Sequence, residues 1–130
     1  MVNSILIGKV IYNKLATNSD ITDIVGNKIF PLIAEQTTNY PFIVYYRTNI
    51  ISLISNKDGF NEDSVNFTVS CVSADYSESI DLANNVRKSL EKRKIDTNDM
   101  ILNNVHLIGI DESFEDNAYV QRLNFECTIN

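Results

Sequence analysis

One histidine, two cysteines, four glycines and two prolines in 130 residues leave little material for chemistry. Nucleophilic hydrolysis sets a Ser or Cys beside a His that a carboxylate orients. The sole histidine is His106, and nothing near it in sequence marks a nucleophile. The scattered glycines form neither a GxGxxG turn nor a P-loop, so a nucleotide site has no support. Basic residues number 11 against 17 acidic, giving a net charge of -6 and a pI near 4.6. That balance argues against binding the outside of nucleic acid or an anionic membrane, since both need a basic surface. No run approaches the roughly 20 apolar residues of a membrane span, and no basic start followed by an apolar segment opens the chain. The expectation is a protein that stays in the cytoplasm where it is made, or in whatever it assembles into. Repeats, low-complexity tracts and linkers are also missing.

What is present is enough for a core. A 44% hydrophobic and 22% charged composition is ordinary for a globular chain, and the length fits one domain over residues 1–130. The organising stretch runs from Ser64 to Lys92. Val65, Phe67, Val69 and Cys71 alternate with Asn66, Thr68 and Ser70, the period of a half-buried strand. The period then changes: Asp75 is followed three residues later by Glu78, a capping-box-like start, and Tyr76, Ile80, Ala83, Val86 and Leu90 recur at helical spacing. This predicts a helix from Tyr76 to Glu91, with Ile80, Ala83, Val86 and Leu90 in the core beside Phe67, Val69 and Phe125. Lys92-Arg93-Lys94 then reads as positive charge placed against the helix dipole.

Earlier in the chain, Ile7, Ile11 and Leu15, widened by Ile5 and Tyr12, predict a first helix between Val2 and Ala16. Asn18-Ser19-Asp20 offers caps for a short second helix, Ile21 to Val25, which Gly26 closes. Pro31 limits residues 28–33 to a short or edge strand, and Glu35 to Asn39 reads as loop. Phe42 to Tyr46 is apolar on both faces, a strand that Pro41 can begin. Asp58-Gly59 signals a hairpin turn that would set Tyr46 opposite Cys71 and Ile50 opposite Phe67, with an exposed tip. A second antiparallel hairpin spans Val105 to Ile129. A turn at Asp116-Asn117 would set Ile110 opposite Leu123, Ile108 opposite Phe125 and His106 opposite Cys127. The fold class is therefore α+β, a mostly antiparallel sheet of four to five strands with one long helix packed on a face and an N-terminal helix pair.

The remaining candidate sites each have a bland reading that outweighs the sharp one. Cys71 and Cys127 fall on apolar strand faces, which favours reduced, buried thiols over a disulfide. His106 beside one or two thiols would make an open zinc site, but no CxxC or HxxxH spacing supports it. Asp111, Glu112, Glu115 and Asp116 read as a solvated hairpin end and lack the spacing of a calcium loop. Tyr40, Tyr45 and Tyr46 read as core or interface packing, since no Arg or Lys interleaves them for base stacking. No cofactor is expected.

Three stretches in order carry a resemblance: Asp23-Ile24-Val25-Gly26-Asn27-Lys28-Ile29-Phe30-Pro31, then Tyr40-Pro41-Phe42-Ile43-Val44-Tyr45, then Ser73-Ala74-Asp75-Tyr76 through Leu82-Ala83 and Val86-Arg87. Together they resemble the tail-completion, or tail-terminator, proteins of long-tailed bacteriophages and prophages. These motifs are structural positions and include no catalytic signature. The resemblance implies a non-enzymatic ring, usually a hexamer, that caps the head-proximal end of the tail tube and stops its polymerisation. Its partners would be further copies of itself, the tail tube protein and the head connector or neck protein, with DNA only as passing cargo and no membrane. Its location would be the host cytoplasm during assembly and then the virion tail. Within that frame the candidate contact surface is the first hairpin's tip, with Lys57, Asp58, Phe60 and Asn61. The readings from other classes are a free-standing ligand-binding or regulatory α+β domain and, last, a small enzyme.

Overall fold

The computed structural model describes residues 3–54 and 61–130. A 3-10 turn, Ser4–Leu6, leads into α1 (Ile7–Ala16), followed by α2 (Ser19–Val25) and the short β1 (Ile29–Pro31). Then come β2 (Phe42–Ile54), β3 (Asn61–Ser73), α3 (Tyr76–Leu90), β4 (Lys92–Asp96), β5 (Ile101–Glu115) and β6 (Ala118–Ile129). The six strands form one sheet in the order β1-β2-β3-β6-β5-β4, with β1 parallel to β2 and every other pair antiparallel.

This corrects the expected architecture. The sheet is mixed, has six strands rather than four or five, and curls into a half-barrel under three short helices. Two physical reasons account for the difference. Lys92-Arg93-Lys94, read as helix-end charge, belongs to an edge strand, where exposed basic side chains discourage pairing with foreign strands. And α3 has 15 residues, about 22 Å of helix, which cannot cover six strands some 29 Å across. So α1 and α2 share the covering, with α1 against β1, β2 and α3, and α2 against α1 and α3.

Local signals explain the helix ends. Asn18 caps α2 by accepting from the Asp20 and Ile21 amides, and Gly26 ends it at φ 65°. Asp75 caps α3 by accepting from the Glu78 amide at 3.3 Å. Glu78 does not close the box on Asp75 itself; Ser73 Oγ donates to Glu78 Oε1 at 2.7 Å and accepts from the Asp75 amide at 3.0 Å.

The buried helix faces differ slightly from expectation. In α1 the stripe is Ile7, Val10, Ile11 and Leu15, while Ile5 and Tyr12 are exposed. In α3 it is Ser79, Leu82, Ala83, Val86, Ser89 and Leu90, and Ile80 is 43% exposed rather than core. The two serines fit the same helical period, because their hydroxyls are satisfied by the carbonyls of Tyr76 and Lys14. Opposite the helices, Val65, Phe67, Val69 and Cys71 of β3 and Leu123, Phe125, Cys127 and Ile129 of β6 are fully buried, as their alternation required. Phe67 lies directly across from Phe125 with the rings stacked 5.2 Å apart.

Register is where the hairpin expectations fail. In the first hairpin Ile43, not Tyr46, opposes Cys71, and Arg47, not Ile50, opposes Phe67. A three-residue shift is odd, so it exchanges the faces of β2 and sends Ile43 and Tyr45 inward. A bulge between Arg47 and Asn49 then sets Ile50 opposite Val65 on the core side. In the second hairpin the turn is at Asp116-Asn117, with φ 52° and 61°, and Ile110 opposes Leu123 as expected. Further along, a bulge between Leu107 and Gly109 replaces Ile108 by Leu107 opposite Phe125. The same bulge sets His106 opposite Glu126 instead of Cys127, and a second bulge between Asn103 and His106, with Asn104 at φ 53°, shifts the pairs beyond it.

Candidate assembly surfaces

Of the residues expected at the hairpin tip, Lys57, Asp58 and Phe60 lie outside the described residues, and Asn61 is the first residue of β3. The pieces of the zinc alternative are not brought together. His106 is half exposed with Nε2 3.7 Å from Glu126, while Cys71 and Cys127 point into the core. Along β3 the two thiols sit at the levels of Cys71 and Val65, six residues or about 20 Å apart, too far to bond within one chain. Burial pushes both thiols up, Cys127 to about 12, so neither is a reactive thiolate. Among the described residues no group of three or more His, Cys, Asp or Glu is placed to hold a metal ion.

The acidic end of the second hairpin is organised by Arg122. Its guanidinium donates to Asp111 at 2.8 Å, to both Glu115 oxygens at 3.1 Å and to Ser113 Oγ at 3.1 Å. The bond to Asp111, with Glu115 nearby, raises the Arg122 pKa above the ordinary arginine value. On the other face Glu112 accepts from Gln121 Nε2 at 2.8 Å and from the Tyr76 hydroxyl at 3.2 Å. Those bonds, Gln121 first, lower the Glu112 pKa, and the Glu112 carboxylate raises that of Tyr76. Tyr76 and Phe114 both pack edge-on against Tyr119, at 5.3 and 4.9 Å. This joins the start of α3 to the hairpin end and leaves Phe114 largely exposed.

The three tyrosines divide as packing residues. Tyr45 is buried beside Tyr12, and burial first, then Tyr12, raises its pKa. Tyr40 stacks on Phe42 at 5.6 Å and donates to the Asp116 carbonyl at 2.8 Å, and Tyr46 is half-buried. An open groove of about 560 Å³ runs between α1 and the β1–β2 edge, lined by Ile5, Gly8, Tyr12, Pro31 and Tyr45, with Lys9 and Asp99 among its few charged residues.

Sequence reasoning missed the two sheet edges. β1 pairs with β2 only at residues 43–45, and β4 pairs with β5 only at residues 101–105. The rest of both long strands has a neighbour on one side only among the described residues. Exposed apolar side chains lie there: Ile51 and Leu53 on β2, Ile108, Ile110 and Phe114 on β5. The available signal was the mismatch between a strand limited by Pro31 and the long apolar run after Pro41.

No protein-family model and no curated protein sequence matches the chain. Its fold does match a solved structure. A chain in "Virion of native gene transfer agent (GTA) particle" superposes with a TM-score of 0.74 over 92% of this chain and 90% of that one, at 10% sequence identity. At that identity the likeness establishes a shared fold.

Proposed function

We propose that the chain is a non-enzymatic structural protein of a long-tailed phage or phage-like particle. In this reading it forms a ring, of hexameric size, that ends the tail tube and presents a joining surface to the head connector or neck protein. The observation that carries the reading is the fold shared, over nearly the full length of both chains, with a chain of a gene transfer agent virion. The sequence resemblance to tail-completion proteins points the same way, independently of the coordinates. Residues 1–130 act as one such domain, present in the host cytoplasm during assembly and then at the head-proximal end of the tail.

Two features of the surface suit this role. Beside an apolar patch of Phe42, Val72 and Val120, the helix-free face of the sheet carries Glu62, Asp96, Asp111, Glu115 and Glu126 against Lys94 and Arg122, a charge balance that is mostly acidic and past which DNA can move without being held. A heterologous contact whose rotation divides the full turn evenly closes into a ring and so limits its own growth. Lys57, Asp58, Phe60 and Asn61 are assigned to partner contact on sequence grounds, since a Phe between polar residues at a turn gains burial only from a neighbour. The test is electron microscopy of tails assembled with and without this protein. Tubes of fixed length joined to heads, against overlong unjoined tubes in its absence, are the expected pair of results. Tubes of normal length that still join heads without it would refute the role and favour a free-standing ligand-binding or regulatory domain.

A further inference from the structure

The two open strand edges are the feature that nothing above explains. On β2 the open half is 46–54, on β5 it is 106–115, and the two lie at opposite ends of the sheet. β1 covers the end of β2 that lies level with the open half of β5, and β4 covers the end of β5 level with the open half of β2. Each edge is therefore a step, and the two steps are complementary in shape. We propose that copies of the chain join by pairing the open half of β2 in one copy with the open half of β5 in the next. The two strands run antiparallel, and the sheet continues from copy to copy. This deepens the ring reading and rests on it only for closure.

The register tests whether such a contact can close. Ile50, central in the open half of β2, is level with Val65 and Cys127 and so with Asn104–Val105 on β5. The centre of the open half of β5, Ile110–Asp111, is level with Leu123–Arg122 on β6, four to five residues from Cys127 or roughly 15 Å further along, the two bulges of β5 taking up the rest. Bringing the centres together shifts each copy by that distance for every six strands, roughly 29 Å of sheet width. The corresponding strand tilt is about 27°, shallower than the tilt of small closed β-barrels. A ring whose strands tilt by that amount absorbs the step.

The edge chemistry agrees. Proline and lysine both discourage foreign strands, and they sit on the covering strands: Pro31 in β1, and Lys92 and Lys94 in β4. Neither open half contains proline or lysine. The Leu107 amide, the first past β4, points away from β6 and is capped by Glu91 Oε2 at 2.9 Å. By alternation the amides of Ile110, Glu112 and Phe114 also face outward. With the centres aligned and the outward amides paired, side chains on the same face come together: Ser52 lies opposite Ile110, Ile51 opposite Asp111, and Arg47 falls beside Phe114.

The test is site-directed crosslinking with a short bismaleimide on Ser52→Cys and Ile110→Cys, with Ile51→Cys and Asp111→Cys as a second pair if either first variant melts early. Each is examined alone and on tail tubes. Crosslinked dimer in the mixture of partners and its loss in either variant alone is the expected result. Crosslinking of Ser52→Cys with itself, or none in the mixture with or without tubes, overturns the pairing. The variant carrying both cysteines separates this inference from the ring reading. A ladder that stops at one closed size upholds both, and an open-ended ladder upholds the edge pairing while contradicting the ring.

Discussion

Strands β3 and β6 and strands β2 and β5 are nearly equal in length, yet they are used differently. β3 and β6 have neighbours on both sides along most of their length, and their inward side chains from Val65 to Cys71 and from Leu123 to Ile129 are sealed under the helices. β2 and β5 are flanked on both sides for only part of their length, and beyond it Ile51 is 50% and Ile108 52% exposed. Apolar surface thus falls in two places: at the centre it is buried and holds the fold, and at the edges it is left exposed. A change at the centre should reduce stability, whereas a change at an edge should reduce assembly and leave stability alone.

The largest break is expected at the centre. Phe67→Ala or Phe125→Ala removes half of a stacked, fully buried pair and should cost about 3 to 5 kcal/mol, read by denaturant unfolding. The double variant should cost less than the sum by about 0.5 to 1.5 kcal/mol, because the rings touch each other. Next comes Asp75→Ala, which unties one amide at the start of α3 and should cost roughly 0.5 to 2 kcal/mol with assembly otherwise intact. Loss of assembly at unchanged stability would make Asp75 a contact residue instead of a cap. At the edges, Ile51→Lys should change stability by less than about 0.5 kcal/mol while abolishing self-association.

The smallest effect is a pH dependence at the capped amide. The Leu107 amide, then Arg87, holds the Glu91 carboxyl below the ordinary value of 4.5. A depressed folded pKa means that the bond stabilises above that value and is lost as pH falls through the folded pKa. Glu91→Gln should therefore melt slightly below wild type at neutral pH, and the gap should close in acid. A gap that persists in acid would mean that Glu91 acts through packing and not through charge.

How much of this was legible in sequence follows the same division. Val65 to Cys71 and Arg122 to Ile129 were readable because one buried face imposes strict alternation. Asn18, Gly26, Asp75 and the Asp116-Asn117 turn were readable because caps and turns are local. Registers were not, since a single bulge at Arg47–Asn49 or Leu107–Gly109 moves every later pair and leaves no mark in composition. Ile80 and Ser79 compete for one helix face, and only the neighbouring carbonyl of Tyr76 decides between them. β4 was hidden because three consecutive basic residues serve equally well at a helix end and on a sheet edge. The open edges were invisible for a deeper reason: they are defined by where β1 and β4 stop, which is a property of the whole sheet.

The most direct test of the account is the native mass of the wild type and of Ile51→Lys across a concentration series, each with and without tail tubes. The account predicts one closed oligomer of the wild type, alone or on the tubes, and a monomer of unchanged melting temperature for Ile51→Lys. A wild type that stays monomeric at every concentration with tubes present, or an Ile51→Lys variant that assembles as the wild type does, would contradict it.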